Sequence, residues 1–203
     1  MTVREFARVR QPGTVLLGSV TDAYQPAERK YGITRALLAA LVDTPLKISI
    51  LTKSDLVLRD LDLLKQCRNG TVGLTITTLD ENVRRQVEPG ASPVAKRLEA
   101  LRALHENGIA NYVFIGPILP RLTDLRAIFE AVRGSVDSVW AEALNIRCGN
   151  WAAMEHMLGQ YYPDLLGRYK ATVQDGGYWE EVGRELSRLS DEFGVPLVGF
   201  FRH

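Results

Sequence analysis

Cysteine is scarce in this 203-residue chain: there are two, Cys67 and Cys148, and they stand far apart. Two thiols cannot furnish a four-ligand zinc site, nor the set of thiolates that an iron–sulfur centre needs. They read as reduced structural thiols. Histidine is nearly as rare. His105, His156 and His203 are isolated, and no Asp, Glu or His stands beside them at metal-ligand spacing. Gly-rich phosphate loops, a GxSxG elbow and an HExxH pair are all missing. No apolar run reaches the ~18 residues that suggest a membrane span. The opening Met1-Thr2-Val3-Arg4-Glu5-Phe6 is charged and lacks the apolar core of a secretion signal. An excess of one charge is also lacking: 25 Lys and Arg face 24 Asp and Glu, a net charge of +1. No global field therefore pulls the chain toward nucleic acid or a membrane surface. A cytoplasmic protein without membrane contact is the expectation. Its composition, 46% hydrophobic and 24% charged, is that of an ordinary globular protein. The length favours one domain, or one with a small appendage.

What is present is alternation. Six short apolar runs, rich in β-branched residues, stand at Thr14–Val20, Lys47–Thr52, Thr71–Thr77, Tyr112–Leu119, Ser138–Leu144 and Val195–Phe201. Their length and composition suit buried strands. Helical spacing separates them. Ile33, Leu37, Leu38 and Leu41 share one face, as do Leu56, Leu61, Leu63 and Leu64 more loosely. Leu98, Leu101 and Leu104 mark another helix, opened by Ser92-Pro93 and stopped by Asn107-Gly108. Thr123-Asp124 opens one through Leu125, Ile128, Phe129 and Val132. Strands alternating with helices predict an α/β fold of parallel βα units, a partial (β/α) barrel. Residues 1–149 are expected to form that barrel core. Residues 150–203, with Trp151, Tyr161, Tyr162, Tyr169, Tyr178 and Trp179, are expected to form a helical extension and a closing strand.

Most of these runs end in groups that can do chemistry. The first ends in Ser19, Thr21 and Asp22, Lys53 follows the second, Thr75 and Thr77 lie in the third, Gly116 and Pro117 in the fourth, Glu142 in the fifth. In a parallel barrel such ends share one rim, and active sites sit there. Lys53 could set an ammonium over an anionic ligand or be a solvated loop lysine. Asp22 could receive an ammonium or hydroxyl, or shape the turn before Tyr24-Gln25-Pro26. Glu88, in Glu88-Pro89-Gly90, reads as pairing with an arginine such as Arg59 or Arg97.

Several segments, in order, resemble one family. Gly18-Ser19-Val20-Thr21-Asp22-Ala23-Tyr24-Gln25-Pro26-Ala27-Glu28 is similar to the TDPYQPxE segment of DNA-photolyase-like (spore photoproduct lyase-like) radical S-adenosylmethionine (SAM) proteins. Leu51-Thr52-Lys53-Ser54 with Arg59-Asp60 resembles their TKS…RD. Leu74–Asp80 resembles SITTLD, Val87–Ala91 resembles LEPGA, and Gly116–Asp124 resembles PIIPGLTD. The resemblance implies a partial barrel, SAM and a [4Fe-4S] cluster as cofactors, and reductive cleavage of SAM to a 5′-deoxyadenosyl radical. It places Ser19, Thr21 and Asp22 near the methionine part of SAM and Lys53 at its carboxylate. Thr75 and Thr77 fall at the ribose or carboxylate, and Gly116 and Pro117 at the adenine.

Two departures stand out. The family's CxxxCxxC loop follows its first strand, but Met1 to Gly13 hold no cysteine. The resemblance thus starts at the second strand, which implies truncation or a misplaced start and no SAM cleavage by the polypeptide as given. In spore photoproduct lyases the second-strand segment carries a cysteine that returns hydrogen to the product radical. Ser19 stands there, and a hydroxyl is a poor hydrogen-atom donor, so the substrate stays open. A nucleic-acid substrate enters by resemblance alone. The alternative is a cluster-free degenerate barrel serving as a binding or scaffold module, with self-association into a homodimer through an unpaired barrel edge. A cluster-free hydrolase or lyase would need Asp22, Lys53 and Glu142 within hydrogen-bond reach.

Overall fold

A strand forms at each of the six apolar runs. The computed structural model describes residues 11–67 and 69–203. β1 (Gly13–Leu17), β2 (Leu46–Thr52), β3 (Thr71–Thr75), β4 (Ala110–Ile118), β5 (Ser138–Ala143) and β6 (Leu197–Phe201) make one sheet in sequential order. Every neighbouring pair is parallel. The sheet curls into half a barrel with helices outside it, the α/β partial barrel that the alternation predicts.

Side-chain period divides the sheet's two faces. On β2, Leu46, Ile48, Ile50 and Thr52 are buried while Lys47 is exposed and Ser49 and Leu51 are intermediate. On β4, Val113 and Ile115 are fully buried, and Tyr112 and Phe114 alternate with them on the other face. Tyr112 lies flat across β3. A Cβ on Gly73 would run into its ring, so a larger residue there would have to displace Tyr112. Trp140 of β5 stacks on Phe201 of β6 at 5.6 Å between centroids.

Helices cover the other face. α1 (Glu28–Tyr31) and α2 (Ile33–Leu41) follow β1; a 3₁₀ turn (Asp55–Asp60) and α3 (Leu61–Leu64) follow β2. α4 (Glu81–Val87) and α5 (Val94–Glu106) follow β3, and α6 (Leu125–Val132) follows β4. Asp124 caps α6 by accepting from Ala127 N, and Ile128, Phe129 and Val132 are its buried stripe. After β5 come α7 (Trp151–Tyr161), α8 (Pro163–Gln174) and α9 (Gly176–Phe193). Trp179, Val182, Leu186 and Leu189 give α9 a buried face at helical spacing. Asp80 caps α4, a helix that the apolar pattern does not announce.

Two buried carboxylates brace this frame. Asp60, fully buried at the end of the 3₁₀ turn, receives Arg59 at 2.8 Å, Arg35 of α2 at 2.9 Å and the Tyr24 hydroxyl at 3.2 Å. Burial alone would push its carboxyl up, but the bonds from Arg59 and Arg35 hold it below the ordinary range. Glu88, just after α4, receives Arg97 Nη1 at 2.9 Å, and the Arg97 side chain is wholly buried. Of the two arginines that the sequence offers Glu88, the fold chooses Arg97. Arg59 pairs with Asp60 and Glu28 instead.

β1 has no partner on its outer side among the described residues. Beside that edge Leu16, Val20, Tyr31 and Ile33 are exposed.

Asp60→Asn is expected to lower the unfolding free energy by about 1.5–3 kcal/mol at neutral pH. A depressed folded-state pKa gives stability that is present above the unfolded value of about 3.9 and lost as pH falls through the folded value. The gap between wild type and variant should therefore close in acid; urea titrations across the pH range check this, and a constant gap would refute it. Glu88→Ala strands the Arg97 guanidinium and should cost about 3–5 kcal/mol, with Glu88→Gln milder; chemical denaturation measures both.

Candidate functional site at the strand ends

The C-terminal ends of β1 and β2 are tied by one carboxylate. Asp22 Oδ1 accepts from Thr52 Oγ1 at 2.6 Å and from Tyr24 N at 2.8 Å, and its Oδ2 accepts from Lys53 N at 2.7 Å. The turn-forming reading of Asp22 is realised, and the same carboxylate also ties the turn to the end of β2. The close approach needs Gly18, whose φ is +98° and where a Cβ would collide with the Leu51 carbonyl oxygen.

The ends of β3 and β4 are tied in the same way. Thr77 Oγ1 lies 2.6 Å from Glu88 Oε1 and 2.9 Å from Gly116 O. A hydroxyl has one proton, so it serves one of these acceptors at a time. Thr123 Oγ1 donates to Thr77 O at 2.8 Å and accepts from Leu119 N at 2.8 Å. Arg97 Nη1 also donates to Thr75 O at 2.7 Å. Its Nε and Nη2 have no protein partner among the described residues.

Two cavities open on this rim. A cavity of about 290 Å³ is lined by Lys53, Thr77, Gln86, Glu88, Pro117 and Asn150, with Val87, Leu119, Leu144, Ala153, Met154 and Met157 as apolar wall. Its volume is near the lower end of small-molecule sites. Lys53 Nζ sits 3.8 Å from Glu88 Oε1 and keeps 38% of its side chain exposed, so the ammonium remains open to a ligand. A second cavity, about 330 Å³, lies at the β1 edge and is lined by Ser19, Thr21 and Asp22 together with Gln25, Glu28 and Thr34. The sequence-derived residues thus divide. Lys53, Thr77 and Pro117 converge on the first cavity, and Ser19, Thr21 and Asp22 on the second. Thr75 is buried, and Gly116 offers its carbonyl to Thr77. Gln86, Asn150, Met154 and Met157 belong to the first cavity without having been singled out from sequence.

Glu142 goes elsewhere. Its Oε1 lies 3.0 Å from His203 Nε2, and it forms no side-chain bond with Asp22 or Lys53 among the described residues. The grouping that a cluster-free hydrolase needs is not assembled.

The donor sets of the two implied cofactors fare differently. An apolar-walled cavity holding an ammonium, a hydroxyl and carboxamides fits an adenosyl amino acid. An iron–sulfur cluster does not fit: Cys67 is buried with its thiol pushed up by burial, Cys148 is exposed, and no group of three potential metal ligands exists among the described residues. No described helix is long and apolar enough to cross a membrane.

Comparison with known proteins agrees with this fold. An uncharacterized protein of Methanocaldococcus jannaschii is 41% identical over 152 residues, covering 75% of this chain and 58% of that protein. One from Mycobacterium bovis is 29% identical over 197 residues, covering 93% and 57%, and one from Acidianus two-tailed virus is 30% identical over 190 residues, covering 82% and 62%. The chain thus spans about three fifths of the curated relatives it matches. Among solved structures, a spore photoproduct lyase complexed with dinucleoside spore photoproduct superposes with a TM-score of 0.67 at 15% identity, covering 98% of this chain and 63% of that one. SuiB of Streptococcus suis superposes at 0.51 and 13% identity, covering 77% and 37%. Such low identities speak for the fold alone. The Radical SAM superfamily model matches residues 1–131, well over half of the sequence, and the chain belongs to the radical SAM superfamily.

Proposed function

We propose that this chain is the SAM-binding core of a radical SAM enzyme, and that the cavity at the ends of β2, β3 and β4 holds the cosubstrate. The observation that carries the reading is the convergence of Lys53, Thr77 and Pro117 on one apolar-walled cavity. The cavity wall carries one cation, Lys53, and one carboxylate, Glu88, and the other oxygen of that carboxylate is already held by Arg97. That arrangement suits a ligand carrying a carboxylate. Lys53 supplies the counter-charge, as the resemblance implies. Asp22 acts through it, because the bond to Lys53 N fixes where that side chain starts. Leu119, Leu144, Met154 and Met157 exclude water from the ligand's flat part. Ser19 and Thr21 face the neighbouring cavity, where a further part of a ligand or the substrate can enter. When bound, SAM supplies a sulfonium whose carbon–sulfur bond is open to reductive cleavage. The described residues hold no set of thiolates for that reduction. Support for a nucleic-acid substrate is limited to the fold likeness with a lyase solved with a dinucleoside photoproduct.

Self-association is part of the same proposal. A second copy pairing along β1 would cover Leu16, Val20, Tyr31 and Ile33, which are exposed beside a strand edge that has no partner among the described residues.

Isothermal titration with SAM tests the site: Lys53→Met should weaken binding about ten-fold or more, the worth of a hydrogen bond to a charged group. Unchanged affinity would remove Lys53 from the site. Light scattering tests the edge: wild type should run as a dimer, and Leu16→Lys with Val20→Lys should run as a monomer. A monomeric wild type would refute the pairing.

A further inference from the structure

A further cavity lies past the ends of β5 and β6, on the side of the arc away from β1. Its volume is about 460 Å³, within the range of small-molecule sites. Arg147, in the loop after β5, and Arg202, just past β6, both line it. Neither guanidinium has an ion-pair partner among the described residues. Arg126 and Arg188 behave otherwise on the nearby helices: they share Glu192, at 2.6 Å and 2.7 Å. No carboxylate lines the cavity among the described residues. Two acidic side chains beside its wall are engaged. Glu142 lies 3.0 Å from His203 Nε2, and Asp175 accepts from Gly177 N at 2.9 Å. Asn145 Oδ1 accepts from Arg147 N at 2.8 Å, which shapes the loop and leaves the amide nitrogen as a further donor. The rest of the wall is apolar, formed by Leu144, Ile146, Val173 and the ring of Trp179. That ring is held in place. Its N–H donates to Val173 O at 2.7 Å, and Tyr178 packs edge-on against it at 5.0 Å between centroids. A lone exposed arginine is ordinary. Two that line one cavity with an apolar wall and no carboxylate describe a ligand: an oxyanion at one end and an apolar or flat body at the other.

We infer that this cavity binds a small molecule carrying a doubly charged oxyanion, a phosphate monoester or a pair of carboxylates, on an apolar body. Two guanidiniums match two negative charges, and their planar forks suit carboxylate and phosphate oxygens alike. The fixed face of Trp179 and the aliphatic wall take the body. The inference deepens the SAM reading above by naming the charge of the substrate. Leu144 lines this cavity and the SAM cavity alike, so a molecule anchored by Arg147 and Arg202 lays its uncharged part against the wall between the two. The anchor thereby stands apart from the end that is offered to chemistry.

The test uses the whole chain with phenyl phosphate, phthalate and neutral benzyl alcohol as probes, their affinities read by ligand-observed NMR. Phenyl phosphate or phthalate should saturate the protein, and whichever binds more tightly identifies the anion as phosphate or paired carboxylates. Benzyl alcohol should bind at least about ten-fold more weakly than the better anion, and Arg147→Gln and Arg202→Gln should each weaken that anion about ten-fold, the worth of a hydrogen bond to a charged group. Both arginines are exposed, so the variants should melt as wild type does by circular dichroism. SAM should leave the anion in place, and Lys53→Met should bind it as wild type does. Failure of both anions to saturate, or unchanged binding in both arginine variants, overturns the assignment. So does displacement of the anion by SAM, which would make the cavity part of the SAM site. An oligothymidylate that binds through the same arginines while neither small anion does would mark a polymer surface and overturn it as well. If the anion binds as stated while SAM never saturates the protein, the anion site stands and the SAM reading alone falls.

Discussion

A guanidinium sealed inside a protein must be neutralised, and Arg97 meets that requirement through Glu88. The consequence spreads because Glu88 stands where several elements meet. Its other oxygen faces the Thr77 hydroxyl and the Lys53 ammonium. Thr77 in turn reaches the Gly116 carbonyl on β4. One buried ion pair thereby fixes the turn after α4, the end of β3, the approach of β4 and the electrostatic surroundings of the lysine. The carboxylate does not compete fully for Lys53, since Arg97 already holds one of its oxygens. The lysine is restrained yet remains partly open to solvent.

The second tie, Asp22, works by hydrogen bonds from neutral groups. It gathers a strand end, a turn and the backbone of the next loop around one carboxylate, and so sets the boundary between the two cavities. The rim is therefore not one continuous trough. Its β1 side is open and bordered by exposed apolar residues, and its β3–β4 side is roofed by α7. A ligand longer than either cavity would have to pass over the Asp22 brace.

Much of this was readable from sequence, for identifiable reasons. The strands announced themselves because parallel strands covered by helices are continuous apolar runs rich in β-branched residues. α6 was readable because Thr123-Asp124 stands before a clear apolar stripe. α4 was not, because Glu81–Val87 is seven residues long with charged side chains through its middle, too short for periodicity to show. The partner of Glu88 was narrowed to two arginines, and only packing could choose, since Arg59 is drawn to Asp60 and Glu28. Lys53, Thr77 and Pro117 could be placed on one rim because strand register puts their ends side by side. Asn150 and Gln86 could not be foreseen. An asparagine before a helix reads as its cap, and its turning inward is a property of the fold alone.

The sheet order runs one to six without a crossing. Doubly wound helix–sheet proteins begin in the middle of their sheet and add strands on both sides. Here each strand pairs with the one synthesised just before it, and each helix packs beside a seam that already exists. The arc can therefore grow like a fan opened blade by blade on the ribosome. At every stage a single new parallel edge is exposed, and the following βα unit is the segment that arrives to shield it.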